Sequence, residues 1–258
     1  MTTQSKFLLG LTVGSFVAYA LWRRRNKPPR KLVWISGCSG SGKSFTGDYL
    51  ETCCGFFHVD GDECFHSKDA ECIKLKDGLV QAFYKFWFDE QSAPAKLWHP
   101  YYAFLAQRVS AAPAGKDVVV TGSVYNREVR DHLRQLFPSI IYIQLNCAEY
   151  ELVNRHFKRF EKYAEAKKQT IHEAWFELYG KEQGEYRSEK FMKQTLQILR
   201  GLQPLQPEEA LCYSINSTIQ DGSLFERLHQ TIGLSPPLPL EDIPIHFIAQ
   251  KNYNRWKG

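Results

Sequence analysis

Residues 31–50 read KLVWISGCSGSGKSFTGDYL. Lys31 to Ser36 is a short apolar run of the kind that forms a buried strand. Gly37 follows, then four residues, then Gly42, Lys43 and Ser44, the G-x-x-x-x-G-K-S spacing of a phosphate-binding loop. Glycine suits such a loop because the backbone must turn tightly and aim its amide N–H groups at phosphate oxygens. A helix beginning near Lys43 adds its positive N-terminal end to the same concavity. The stretch therefore predicts a nucleotide site built from Gly37, Ser39, Gly40, Ser41, Gly42, Lys43, Ser44 and Phe45. Lys43 would reach the β- and γ-phosphates and the Ser44 hydroxyl would hold Mg²⁺.

Downstream the chain alternates strands with helices. After a helix over Phe45–Cys54 with Gly55 as its stop, Phe56 to Val59 reads as a second strand ending in Asp60-Gly61-Asp62. Carboxylates at the carboxyl end of a strand lie where open α/β sheets bind ligands. One can orient a metal's water shell while the other takes a proton from an acceptor hydroxyl. Residues 65–115 are rich in aromatics and predict two or three helices with a loop at 91–95, their aromatic stripe reading as core.

Lys116 to Thr121 predicts a third strand, followed by a helix with Arg127, Arg130 and Arg134. Arginines there suit a clamp on acceptor or phosphate oxygens, or else an exposed helix face. Ile140 to Leu145 predicts a fourth strand. The charged helix over Glu149–Lys168 has the character of a basic lid, from which Arg155 and Arg159 would neutralise charge. Helices over about 170–183 and 186–200, a strand at Ala210–Asn216 and a helix at Leu224–Ile232 complete the body, and the Pro-rich residues 236–258 read as an irregular tail.

The net charge of +5 comes from the N-terminus. Residues 1–31 hold seven Lys or Arg and no acid, and the remainder carries 26 basic against 28 acidic residues, a formal charge of −2. Such a balance argues against general nucleic-acid binding. Seven scattered cysteines, with no C-x-x-C pair, fit free thiols in a reducing compartment. Cys53, Cys54, His58, Cys64 and His66 lack finger-like metal spacing, so inert thiols are expected.

Phe7 to Trp22 is a 16-residue apolar run followed by Arg23, Arg24 and Arg25. As a helix it would span about 24 Å, short of the ~30 Å hydrocarbon core, with the arginines at the interface. It predicts a short uncleaved membrane anchor with everything after it in the cytosol, the mitochondrial outer membrane being one candidate. A cleaved signal ending near Ala18-Tyr19-Ala20 and a mitochondrial presequence are the alternatives. Gly10 and Gly14 form a G-x-x-x-G, a spacing that permits a homodimer. Residues 26–30 then read as a linker, leaving residues 31–235 as the principal domain with its lid at about 149–200.

GCSGSGKS (37–44), HVDGDECFH (58–66) and REVRDHLR (127–134), with FMKQTLQILRGLQPLQPEEA (191–210) leading into the last strand, resemble the gluconate kinases among the small P-loop kinases. The resemblance covers roughly residues 31–235. It implies a nucleoside monophosphate kinase-like fold, with a five-stranded parallel sheet, helices on both faces and a helical lid. It also implies ATP, Mg²⁺ and transfer of the γ-phosphoryl to a hydroxyl of a sugar acid. By position, Lys43 and Ser44 would hold phosphate and metal, Asp60 would hold metal, and Asp62 (or Asp60) would be the base. Arg130 would contact acceptor or phosphate, and Arg155 and Arg159 would close from the lid. The chain departs from the family where a Gly-x-Pro-Leu and an Asp-Arg-x-Pro-Trp stretch shape the acceptor pocket: Gly78-Leu79-Val80 and Leu97-Trp98-His99-Pro100 stand there. A lid longer by about thirty residues between Arg159 and Phe191 is a further departure. A kinase for another acceptor, or an inactive tethered nucleotide-binding module, are the alternatives.

Overall fold

The computed structural model describes residues 30–67, 69–87, 95–181, 184–218 and 221–254. Its main unit begins at Lys31 and is organised on five parallel strands: β1 (Leu32–Gly37), β2 (Phe57–Asp60), β3 (Val118–Thr121), β4 (Ile141–Asn146) and β5 (Cys212–Asn216). They lie side by side in the order β2-β3-β1-β4-β5. All six residues of β1 are buried, which is what a central parallel strand covered on both faces requires.

The alternation of β1 divides the core. Val33 and Ile35 enter one layer, with Tyr49 and Leu50 from α1 (Lys43–Cys54) and Phe225 and Leu228 from α8 (Ser223–Ile232). Leu32 and Trp34 enter the other, with Leu79 from α2 (Ala70–Trp87), Tyr102 and Leu105 from α3 (His99–Ser110), and Leu133 from α4 (Arg127–Leu136). Each such side chain contributes about 1.5–3 kcal/mol on burial. Trp34 also donates its indole N–H to Gly122 O at 3.1 Å, so the largest residue of β1 leaves no buried donor unpaired.

Between β4 and β5, where the lid was expected, stand α5 (Glu149–Lys167), α6 (Ile171–Tyr179) and α7 (Ser188–Arg200). Thr170 and Glu173 form a reciprocal capping box that starts α6. Phe160, Trp175 and Phe191 make a third cluster, independent of the sheet. The residues between β4 and β5 thus bring their own core.

Residues 236–258 are not irregular throughout. A 3₁₀ turn at Leu240–Asp242 leads to α9 (Ile245–Asn254), which packs on α1 and buries Ile243 and Ile248. Pro244 immediately precedes α9, where its missing N–H breaks no helical bond. The anchor expected at residues 7–22 lies outside the described residues; among those described, no helix is long and apolar enough to cross a membrane.

Candidate active site

The loop after β1 is shaped by glycine. Gly37 has φ +147°, and a Cβ there would lie 2.6 Å from both Leu145 O and Ser41 Oγ. The loop therefore folds against β4 with no room for a side chain. Gly42 caps α1 without a side-chain hydrogen bond, so the amides of the first turn stay available to an anion. Lys43 donates to Cys38 O at 3.0 Å and lies across its own loop. The Ser41 hydroxyl is buried without a hydrogen-bond partner, an omission that costs about 1–3 kcal/mol unless a ligand meets it.

The two aspartates are held on the opposite side. Asp60 is buried at the end of β2 and accepts from the Asp62 amide at 3.0 Å, while Asp62 itself is exposed. Between them the Gly61 amide donates to Thr121 O at 2.6 Å. A Cβ on Gly61 would stand 2.3 Å from the Tyr101 hydroxyl and 2.5 Å from Thr121 O. Tyr101 in turn donates to Gly61 O at 3.0 Å. Clamped by β3 and α3, the turn holds the Asp60 carboxylate in place and carries Asp62 beside it. Burial lowers the pKa of Lys43, and the charges of Asp62 and, less strongly, Asp60 act against that shift. The predicted lysine and both predicted carboxylates thus share one electrostatic environment.

Helix α5 lies beside the phosphate loop. Arg155 is oriented by Glu151 at 2.7 Å and donates to Gly40 O at 3.0 Å and to Ser217 O at 3.4 Å, joining the phosphate loop to the end of β5. Arg159, one turn further on, is exposed, and the Asp62 charge acts on it. His156 went unnoticed in the sequence although it shares this face at helical spacing. It packs toward Gly40, and burial, reinforced by the neighbouring Arg159 and Lys43 charges, drops its pKa to about 4. Ser123 was also missed; its hydroxyl donates to Gly37 O at 3.0 Å and ties the end of β3 to the loop. Neither residue belongs to a motif, so only the fold shows them.

Arg130 departs from expectation. Its side chain is 1% exposed and donates to both Glu209 carboxylate oxygens, at 2.9 and 2.8 Å, and to the Gln203 and Pro204 carbonyls. A guanidinium so fully engaged is a structural anchor, not a clamp on acceptor or phosphate. Arg134 reaches Glu209 at 3.3 Å and Arg127 reaches Glu208 at 2.6 Å. The REVRDHLR helix and the PLQPEE segment are thus two halves of one ion-paired joint.

All seven cysteines are free. Burial pushes Cys38 and Cys54 up to about 11 and Cys64 up to about 12, which keeps these thiols neutral and unreactive. Among the described residues, the one group with metal-ligand character is Asp48, Glu51 and His58. Lys251 pairs with Glu51 and lies 4.0 Å from Asp48, so an ammonium already supplies the cation there.

No family model matches the chain, and no curated protein sequence matches it. Solved structures do. A sugar kinase from Janibacter sp. is 19% identical, with 81% of this chain and 97% of the other covered at a TM-score of 0.50. A gluconokinase from Sinorhizobium meliloti is 18% identical, with 80% and 92% covered at a TM-score of 0.47. At this identity what is shared is the fold: a five-stranded parallel α/β architecture of the P-loop kinase kind.

Proposed function

We propose that the protein is an ATP-dependent small-molecule kinase that transfers the γ-phosphoryl of ATP to a hydroxyl of a sugar acid. The observation that carries this reading is the pairing of an anion cradle, with open helix amides, Lys43 and the orphaned Ser41 hydroxyl, with two aspartates on the turn that follows β2, whose charges both act on Lys43. These groups fit a magnesium-bound triphosphate. The cradle amides and Lys43 would take the phosphate oxygens, and the Ser44 hydroxyl with Asp60 would hold the ion. Magnesium, when bound, neutralises charge on the phosphate oxygens.

Asp62 is exposed and would accept the acceptor's proton. As that hydroxyl oxygen forms its bond to the γ-phosphorus, the bond to the β-phosphate oxygen breaks and ADP leaves. Arg159 stands on the lid to balance the charge. Most of the catalysis would come from positioning and electrostatics, because phosphoryl transfer asks little covalent chemistry of the protein. The apolar run at 7–22 with its following arginines supports a membrane-tethered enzyme whose kinase unit faces the cytosol.

A different acceptor is favoured by one observation. Trp98 and Tyr101, in the region where the resembling family shapes its acceptor pocket, are buried in the core, so the pocket lining differs.

Purified protein should convert ATP to ADP in step with phosphorylation of gluconate, and Lys43→Ala should abolish it. Asp62→Asn should lower kcat by roughly 10²–10⁴-fold while ATP still binds. Transfer to another hydroxyl compound but not to gluconate would move the assignment to that acceptor. Undiminished transfer by Lys43→Ala would remove the reading altogether.

A further inference from the structure

We infer that the C-terminal segment 236–254 supplies the wall against which the nucleobase packs, so that recognition of the base depends on this tail. The inference rests on the nucleotide-binding reading above and adds the part of the site that reads the base.

A cavity of about 560 Å³ opens beside the phosphate loop. One end is polar, formed by Gly40 to Gly42 and by Arg155 and Arg159 of the lid. The other end is apolar. Phe45 and Phe225 stand there with ring centroids 6.5 Å apart, and the tail closes it with Leu240, Ile245 and Ala249. A nucleoside triphosphate has the same polarity along its length, with charge at one end and a flat, largely apolar ring at the other. With its phosphates in the cradle, its base has this cavity to enter.

Leu240 is 38% exposed although large and apolar. Its exposed surface faces a cavity into which a planar ring fits, and Arg155 offers a planar cation on the polar side.

The wall is also anchored. Ile243 and Ile248 are buried, Asn252 donates to Asp48 at 3.2 Å, and Lys251 pairs with Glu51. Both acids belong to α1, the helix that rises directly from the phosphate loop. The tail and the cradle are therefore fixed to one element, which sets the distance between base and phosphates.

The test compares MgATP with magnesium tripolyphosphate, which has the phosphates without the base, by calorimetric titration of the full chain. Ala249 is exposed, so Ala249→Trp fills the cavity without disturbing the core. It should weaken ATP by about tenfold or more and leave tripolyphosphate binding and the melting temperature unchanged. Leu240→Asp, also at an exposed position, should show the same split.

Parental ATP affinity in both variants overturns the inference, as does an equal loss of both ligands, or a parent protein that binds tripolyphosphate as tightly as ATP. The nucleotide reading is tested separately by Lys43→Ala. If that variant loses both ligands while the two tail variants lose neither, the cradle stands and the tail wall falls. If the parent binds neither ligand, both readings fall.

Discussion

Helices α4 and α5 both carry arginines spaced along one face, and in sequence they read alike. The structure gives them different surroundings. On α4, Arg130 is sealed against Glu209, and Arg127 and Arg134 brace the same joint from outside. On α5, Arg155 and Arg159 line the cavity beside the phosphate loop. What each arginine joins is thus set by what the fold brings opposite it. On α4 that is a pair of glutamates about eighty positions away; on α5 it is the phosphate loop.

The sharpest way to break this contrast is Arg130→Ala. It leaves the Glu209 carboxylate buried without its main partner and should cost about 3–5 kcal/mol in denaturant unfolding, while the folded fraction binds ATP normally. Loss of ATP binding with stability intact would return Arg130 to the active site.

Arg155 is also engaged, by Glu151 and by the Gly40, Ser217 and Thr218 carbonyls, but it lines the cavity. Arg155→Ala should therefore lower ATP affinity about ten- to a hundredfold and lower the melting temperature by less than Arg130→Ala does.

Acid sharpens the same division. The Arg130 hydrogen bonds hold the Glu209 pKa down to about 2, from 4.5. A depressed carboxylate stabilises the fold fully above its unfolded pKa and loses that stabilisation as pH falls. Stability should therefore drop from about pH 4.5 downward through about 2, and Glu209→Gln should remove that part of the dependence. His156 acts at higher pH. Its folded pKa of about 4 lies below the ordinary 6.5, so the unfolded chain takes its proton first and stability is lost from 6.5 down toward 4. His156→Gln should flatten this limb in a pH series of melts.

The smallest effect belongs to Arg127→Ala. Its ion pairs are exposed and such pairs contribute little, so the melting midpoint should stay where it is.

How far the molecule could be read from its sequence follows from the range of the interactions. The unit β1–loop–α1 was legible because its chemistry is local: an apolar run, glycines at fixed spacing and a lysine all fall within twenty residues. β3 and β4 were legible because parallel strands buried on both faces are nearly continuous in apolar residues, and the Thr170–Glu173 pair marks the start of α6 just as locally. Arg130 was not legible, because its partner Glu209 lies 79 positions away. The tail was missed for another reason. Its prolines mark a broken chain, and they hide that Ile243 and Ile248 reach the core. His156 stands next to Arg155 and matches no motif; only its closeness to Gly40 gives it meaning.

The aromatic cluster of Phe160, Trp175 and Phe191 has a mechanical consequence. Three helices that share a private core hold one another's geometry without help from the sheet, so a load on any one of them is borne by all three. What the rest of the chain must supply is only their placement, through α2 packed on α7 and Arg155 tied to Gly40.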